Sequence, residues 1–173
     1  MKLHSLTLTE ASTTMTERDY TTVLRVPVAP HQAYAAVNDV RGWWSQDVDG
    51  TTDAVGAEFD YRGNQDGVNV HRARIQVAAL EPGRRVEWHV VDNWMSFIDD
   101  QSEWIDTRIV FEISATAEGS EIRFTHRGLV PAYECYDVCL DAWTFFLRTS
   151  LSALVTTGRG EPMARLTPEA ASV

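Results

Sequence analysis

Between residues 20 and 127 apolar and polar positions alternate with a period of two, and beyond residue 131 the pattern changes to a helical one. Tyr20–Val28 (YTTVLRVPV) is alternating and β-branched, which predicts a strand; Pro27 confines it to a sheet edge or a late bulge. Pro30 then stands where the first residue of a helix would, and HQAYAAVNDV follows with Tyr34, Val37 and Val40 as its apolar stripe. Glu58–Arg62, Val70–Leu80, Arg85–Asp92, Ile105–Ala115 and Glu121–Arg127 each show the two-residue period. The turn sequences EPGR (81–84) and AEGS (117–120) join successive strands, so the chain reads as an antiparallel meander.

The two faces of that meander differ. Phe59, Tyr61, Ala73, Ile75, Val77, Val86, Trp88, Val90, Ile109, Phe111, Ile113, Ile122, Phe124 and His126 share one face, while Arg72, Arg74, Glu87, His89, Arg108, Glu112 and Arg123 share the other. A sheet of this kind is covered on one side. The cover is predicted over Ala132–Thr157, where Tyr136, Leu140, Trp143, Leu147, Leu151 and Leu154 recur at helical spacing and Gly158 stops the run. A helix of that length extends roughly 39 Å, enough to cross the sheet. The expected fold is therefore α+β: a curved antiparallel sheet of six or seven strands wrapped around one long C-terminal helix, with short helices after the first strand.

Several phrases carry a family resemblance over roughly residues 20–162: VPVAPHQAYAAVNDVRGWW (26–44), VGAEFDYR (55–62), AALEPGRRVEWHV (78–90), FTHRGL (124–129) and DAWTFFLRTSLSALVTTGRGEP (141–162). In order and spacing they resemble the SRPBCC or START-like superfamily, whose helix-grip fold is that of the birch-pollen allergen. Within it the chain looks most like the branch named after the C-terminal domain of the activator of the heat-shock-protein-ninety ATPase. The resemblance implies a cavity between sheet and helix. It supplies no catalytic signature.

Composition narrows the function classes. The chain has 173 residues, with 15 basic against 25 acidic side chains and a net charge of −10. That is room for one domain, and its field repels phosphate backbones and anionic lipid surfaces. Nucleic acid and membrane are therefore not expected partners. Residues 1–19 read as a flexible lead-in (Met15 being an alternative start), 20–158 as the domain and 159–173 as a tail. No secretory signal pattern is visible, which implies a cytoplasmic protein.

No nucleophile elbow, zincin helix, phosphate loop or dinucleotide fingerprint occurs, so no catalytic residue, metal ligand set or cofactor is assigned. Cys135 and Cys139 are four apart on the predicted helix, too far to bridge comfortably; they read as small apolar residues or as half of a metal face without a third ligand. Asp99, Asp100, Glu103 and Asp106 form either a solvated acidic loop or a hard-cation site. Trp94 and Phe97 lie in a linker, DNWMSFIDDQSEW, that reads as a lid or a strand bend. His126 is either a satisfied core histidine, with Tyr133 or Tyr136 as its partner, or the polar anchor of a cavity.

The ligand-binding set implied by strand parity and helix phase is Trp88, Ile109, Phe111 and His126 from the sheet, with Tyr136, Trp143 and Leu147 from the helix. It would line a mostly apolar pocket of roughly a few hundred Å³. The function that follows is binding of a small apolar or amphipathic, lipid-like ligand. Two alternatives stay open: a chaperone-ATPase partner protein, and a cyclase-, dehydratase- or hydrolase-like enzyme working in the same cavity. The oligomer is a monomer or a homodimer.

Overall fold

Seven strands form one antiparallel sheet: β1 (Tyr20–Val26), β2 (Val48–Gly50), β3 (Glu58–Gln65), β4 (Val68–Glu81), β5 (Arg85–Met95), β6 (Arg108–Thr116) and β7 (Gly119–Arg127), in the order β1-β7-β6-β5-β4-β3-β2. This is a computed structural model, and it describes residues 19–166. The expected lead-in, apart from Asp19, and the tail beyond residue 166 lie outside the described residues. β1 returns to pair with β7 at the far edge, where Pro27 follows its last residue and leaves the ladder intact. Two short helices, α1 (Pro30–Asn38) and α2 (Val40–Trp43), follow β1.

The covered face is packed by α3 (Tyr136–Thr157), 22 residues long. The expected helical start at Ala132 is late by one turn, because residues 131–135 form turns that bind the loop after β5. An 18-residue window of α3 reaches a mean hydropathy of 1.3, apolar enough by composition for a bilayer span. A third of that window is buried, with Trp143, Leu147 and Leu151 packed inside the molecule. Residues Phe146–Leu151 adopt the wider π-helical pairing.

Two departures from simple strand reading shape the site. A bulge in β5 sets Arg74 opposite Asp92 but Ile75 opposite Val90, so Val91 drops out of the alternation. Inward parity therefore continues through Asn93 and Met95, both buried, past the expected strand end at Asp92. On the outer face, Arg74 and Asp60 form an exposed ion pair at 3.1 Å. Glu87 differs from its neighbours there: its side chain is only 13% exposed and holds both Arg85 and Arg108. Burial pushes the Glu87 carboxyl up, but the two guanidinium groups outweigh it and hold the carboxyl below its ordinary range.

The stretch after α3 is not a loose tail as far as residue 166. Gly158 closes the helix in the left-handed region (φ 82°), and residues 159–166 then run back over α2 as a strap. Gly160 permits the crossing, since a Cβ there would stand 2.4 Å from the Gly42 carbonyl oxygen. The Glu161 amide donates to Ser150 Oγ at 2.7 Å, and Met163 forms a parallel bridge with Ser45.

Candidate functional site

The residues picked from the sequence do come together, but as solid core. Trp88, Ile109, Phe111, His126, Trp143 and Leu147 are all fully buried, and Tyr136 is half-buried at their margin. The rings close on one another: Trp88 to Phe111 at 5.1 Å, Phe111 to Phe124 at 5.2 Å and Phe124 to Trp143 at 4.7 Å. Edge-to-face and tilted contacts of this kind fill space rather than hold it open.

His126 is fully occupied within that core. The Trp143 indole N–H donates to its Nδ1 at 3.2 Å. An indole can only donate, so the imidazole proton sits on Nε2, which donates to Thr107 Oγ1 at 2.9 Å. The Thr107 hydroxyl in turn donates to the Trp104 carbonyl at 2.6 Å. Burial, with the nearby His71, pushes the His126 pKa down to about 3, so the ring is neutral. Its partners are Trp143 and Thr107, not Tyr133 or Tyr136. The anchoring role expected as one alternative for His126 therefore has no free nitrogen to act through.

The cavity lies one step away, toward β3 and the open end of the helix. Its volume is about 100 Å³. Trp44, Tyr61 and His71 form the sheet side, Cys139, Ala142 and Trp143 the helix side, Phe97 and Trp104 the loop side, and Met163 of the strap the remaining wall. Of the set chosen from the sequence, only Trp143 lines it. No Arg, Lys, Asp or Glu does.

Each wall has a local cause. Trp44 stacks on Tyr61 (3.9 Å) and lies parallel to Trp88 (5.8 Å), so neighbouring rings fix its orientation. His71 shares inward parity with Ala73 and Ile75, and its Nε2 donates to Asn93 Oδ1 at 2.7 Å. Burial lowers its pKa to about 4 against the opposing effect of the Asn93 bond. Trp104 meets His71 edge-on at 4.6 Å, and its indole N–H has no partner among the described residues.

The loop that carries Phe97 and Trp104 is clasped to the start of α3 by two carboxylates working in opposite directions. Glu103, 5% exposed, accepts from the Glu134 and Cys135 amides at 2.7 and 3.1 Å. Glu134 accepts from the Asp99 and Asp100 amides at 3.2–3.3 Å. Of the expected acidic cluster, Glu103 is therefore a buried clasp rather than a solvated side chain. Among the described residues no three His, Cys, Asp or Glu side chains converge as a metal set. Cys135 and Cys139 are both free and buried, and the adjoining Cys139 thiol together with burial pushes the Cys135 thiol up, keeping it protonated. Trp94 belongs to β5, under the Arg72 guanidinium at 4.7 Å.

A long helix gripped by a seven-stranded sheet, with a small cavity at one end, is the setting in which sequence kinship becomes informative. Residues 30–156 match the family described as "Activator of Hsp90 ATPase homolog 1-like protein". The chain belongs to this family. No protein of curated function matches it at significance. Among solved structures it is similar to the Aha1 dimer from Colwellia psychrerythraea, at 22% identity and TM-score 0.65, covering 82% of this chain and 98% of that one. It is also similar to MLL2253 from Mesorhizobium loti, at 17% identity and TM-score 0.60, covering 76% and 92%. DynU16, a protein of the dynemicin biosynthetic locus, aligns at 17% identity and TM-score 0.60, covering 86% of this chain and 51% of that one. At these identities the likeness is one of fold. The family places the chain among ligand-binding or Aha1-like domains of a soluble type.

Sequence reading missed Tyr61, His71, Trp104 and Met163 as site residues. His71 and Tyr61 were accessible through strand parity alone. Trp104 sits in an aperiodic loop, and Met163 follows a helix terminator, so no periodic signal marks either.

Proposed function

We propose that this protein binds a small, neutral, largely apolar molecule in the pocket walled by Trp44, Tyr61, Trp104 and Trp143, in the cytoplasm. The observation that carries the reading is the lining itself: five large aromatic side chains, Phe97 included, and no formal charge. A cation would find no carboxylate there to pair with, and His71 is neutral. A ligand bearing one oxygen acceptor suits the unpartnered Trp104 N–H, since an unmet buried donor costs roughly 1–3 kcal/mol.

Ala142 offers a clean test, being exposed on α3 at the pocket wall. Ala142→Trp fills the pocket from a position that tolerates bulk. Titration with a neutral apolar dye, read by tryptophan emission, is expected to saturate for the natural chain and not for Ala142→Trp, with both melting alike. Equal binding by both would remove the pocket from the account. Native mass spectrometry of freshly purified protein then identifies the retained molecule.

A homodimer is the second reading, favoured by a specific surface. Val138, at the pocket mouth, and Phe145, 52% and 43% exposed, lie two turns apart on α3, and the Colwellia relative is described as a dimer. Sedimentation that stays monomeric at high concentration would dismiss it. The enzyme alternative loses its acid–base residue, because both His126 nitrogens are engaged within the core.

A further inference from the structure

A pocket of about 100 Å³ is small beside the roughly 300–1,000 Å³ that enclose a whole organic ligand. One wall has to yield for anything larger than a fused ring pair, and the walls are unequal. Tyr61 and His71 are fixed by the β3–β4 ladder. Trp143 is fixed by the aromatic core, and the Phe97–Trp104 loop by the Glu103–Glu134 clasp.

Met163 is held differently. Its amide donates to the Trp44 carbonyl at 3.0 Å, its carbonyl accepts from Gln46 N at 2.8 Å, and its sulfur accepts from Asn64 N at 3.0 Å. Two residues on, Arg165 pairs with Asp49 at 3.0 Å and Asp47 at 3.4 Å from a half-exposed position. The strap is also tied to Ser150 of α3 through the Glu161 amide at 2.7 Å and to Asn64 of β3, whose Nδ2 donates to the Ala164 carbonyl at 2.9 Å. Lifting it breaks these bonds but none of the hydrogen bonds within the sheet ladder or the helix. The strap also lies beyond residues 30–156, the stretch that matches the family.

We propose that Met163 is the size-selecting residue of the pocket. With the strap seated, the pocket takes a molecule no larger than one fused ring pair; with Met163 turned out, it takes a neutral aromatic molecule of three or more rings against Trp104 and Trp143. An unbranched thioether with three rotatable bonds suits such a part, since it can repack around different shapes. This inference rests on the binding reading above.

The test compares the full chain with Met163→Ala and Met163→Leu, using indole as the small probe and N-phenyl-1-naphthylamine as the large one. Met163→Ala is expected to bind the naphthylamine at least about tenfold more tightly and indole within about twofold, with Met163→Leu close to the natural chain. Arg165→Ala, outside the pocket, is expected to act in the same direction by loosening the strap. Cys139 supplies a second readout: in a Cys135→Ser background, a thiol-reactive dye should label it about tenfold faster once Met163 is truncated. Indole binding with no response of the naphthylamine to Met163→Ala or Arg165→Ala would overturn the size selection and leave the binding site standing. Failure of both probes on every variant would overturn both.

Discussion

The two ends of the covered sheet face are built from the same materials and end up different. Around Phe111, Phe124 and Trp88 the rings interlock at 5–6 Å and nothing is left open. Around Tyr61, His71 and Trp104 a second group of rings leaves a cavity. Both ends are rich in rings; the cover differs. The closed end lies under α1, α2 and the buried stripe of α3, all regular elements whose side chains interdigitate. The other end is covered by the first turns of α3 together with a loop and a strap, which bring backbone and isolated side chains rather than a continuous face. A cavity in this fold is thus set by what seals its mouth, more than by how many rings line it.

The two histidines show the same contrast. His126, in the closed end, has both nitrogens paired; His71, at the pocket, has one partner.

The sharpest way to break this comparison is Trp143, which belongs to both ends. Trp143→Ala removes the ring that packs on Phe124, forms one pocket wall and holds His126, and is expected to cost about 3–5 kcal/mol in urea denaturation. A midpoint near that of the natural chain would mean the closed end is not the stability core.

Acid titration sharpens it next. Both histidines have folded pKa values depressed below the unfolded 6.5, to about 3 for His126 and about 4 for His71. Below pH 6.5 the unfolded chain therefore takes up protons that the folded chain refuses. Their contribution is fully present above pH 6.5 and is lost as pH falls toward those values, at up to about 1.4 kcal/mol per unit for each ring. His71, only half-buried at the pocket wall, contributes less than that. Replacing His126 by Phe should flatten the stability profile between pH 6 and 4 more than His71→Phe does. The reverse order would place the better-sealed histidine at the pocket. The smallest effect is expected at the rim, where Phe97 is 43% exposed. Phe97→Ser should shift stability by no more than about 0.5 kcal/mol, while weakening a neutral dye measurably in the same titration.

What the sequence disclosed follows the same division. Strand parity and helix phase found the closed end residue by residue, because regular elements write their buried faces as a period. The pocket depended on features with no period. A bulge at Val91 carries inward parity on to Asn93 and Met95, and Trp104 is buried from an irregular loop. Met163 returns from beyond a helix-ending glycine by a backbone crossing that only Gly160 allows. His126 illustrates the limit from the other side: parity put it inside, but only coordinates reveal that an indole and a threonine consume both of its nitrogens.

The π-helical stretch Phe146–Leu151 has a mechanical meaning of its own. It amounts to one residue spliced into an otherwise regular shaft, advancing everything beyond it by about 100° and 1.5 Å. Upstream of the splice the shaft is indexed to the sheet through Trp143; within it, Ser150 is indexed to the Trp43 carbonyl at 2.7 Å and to the strap through Glu161. The two halves are thereby timed independently, like cams keyed separately on one axle. Excising a single residue between 146 and 151 would heal the helix into a plain α-helix and swing Ser150 off its mark. The strap would then lose its anchor while the upstream half stayed in step with the sheet.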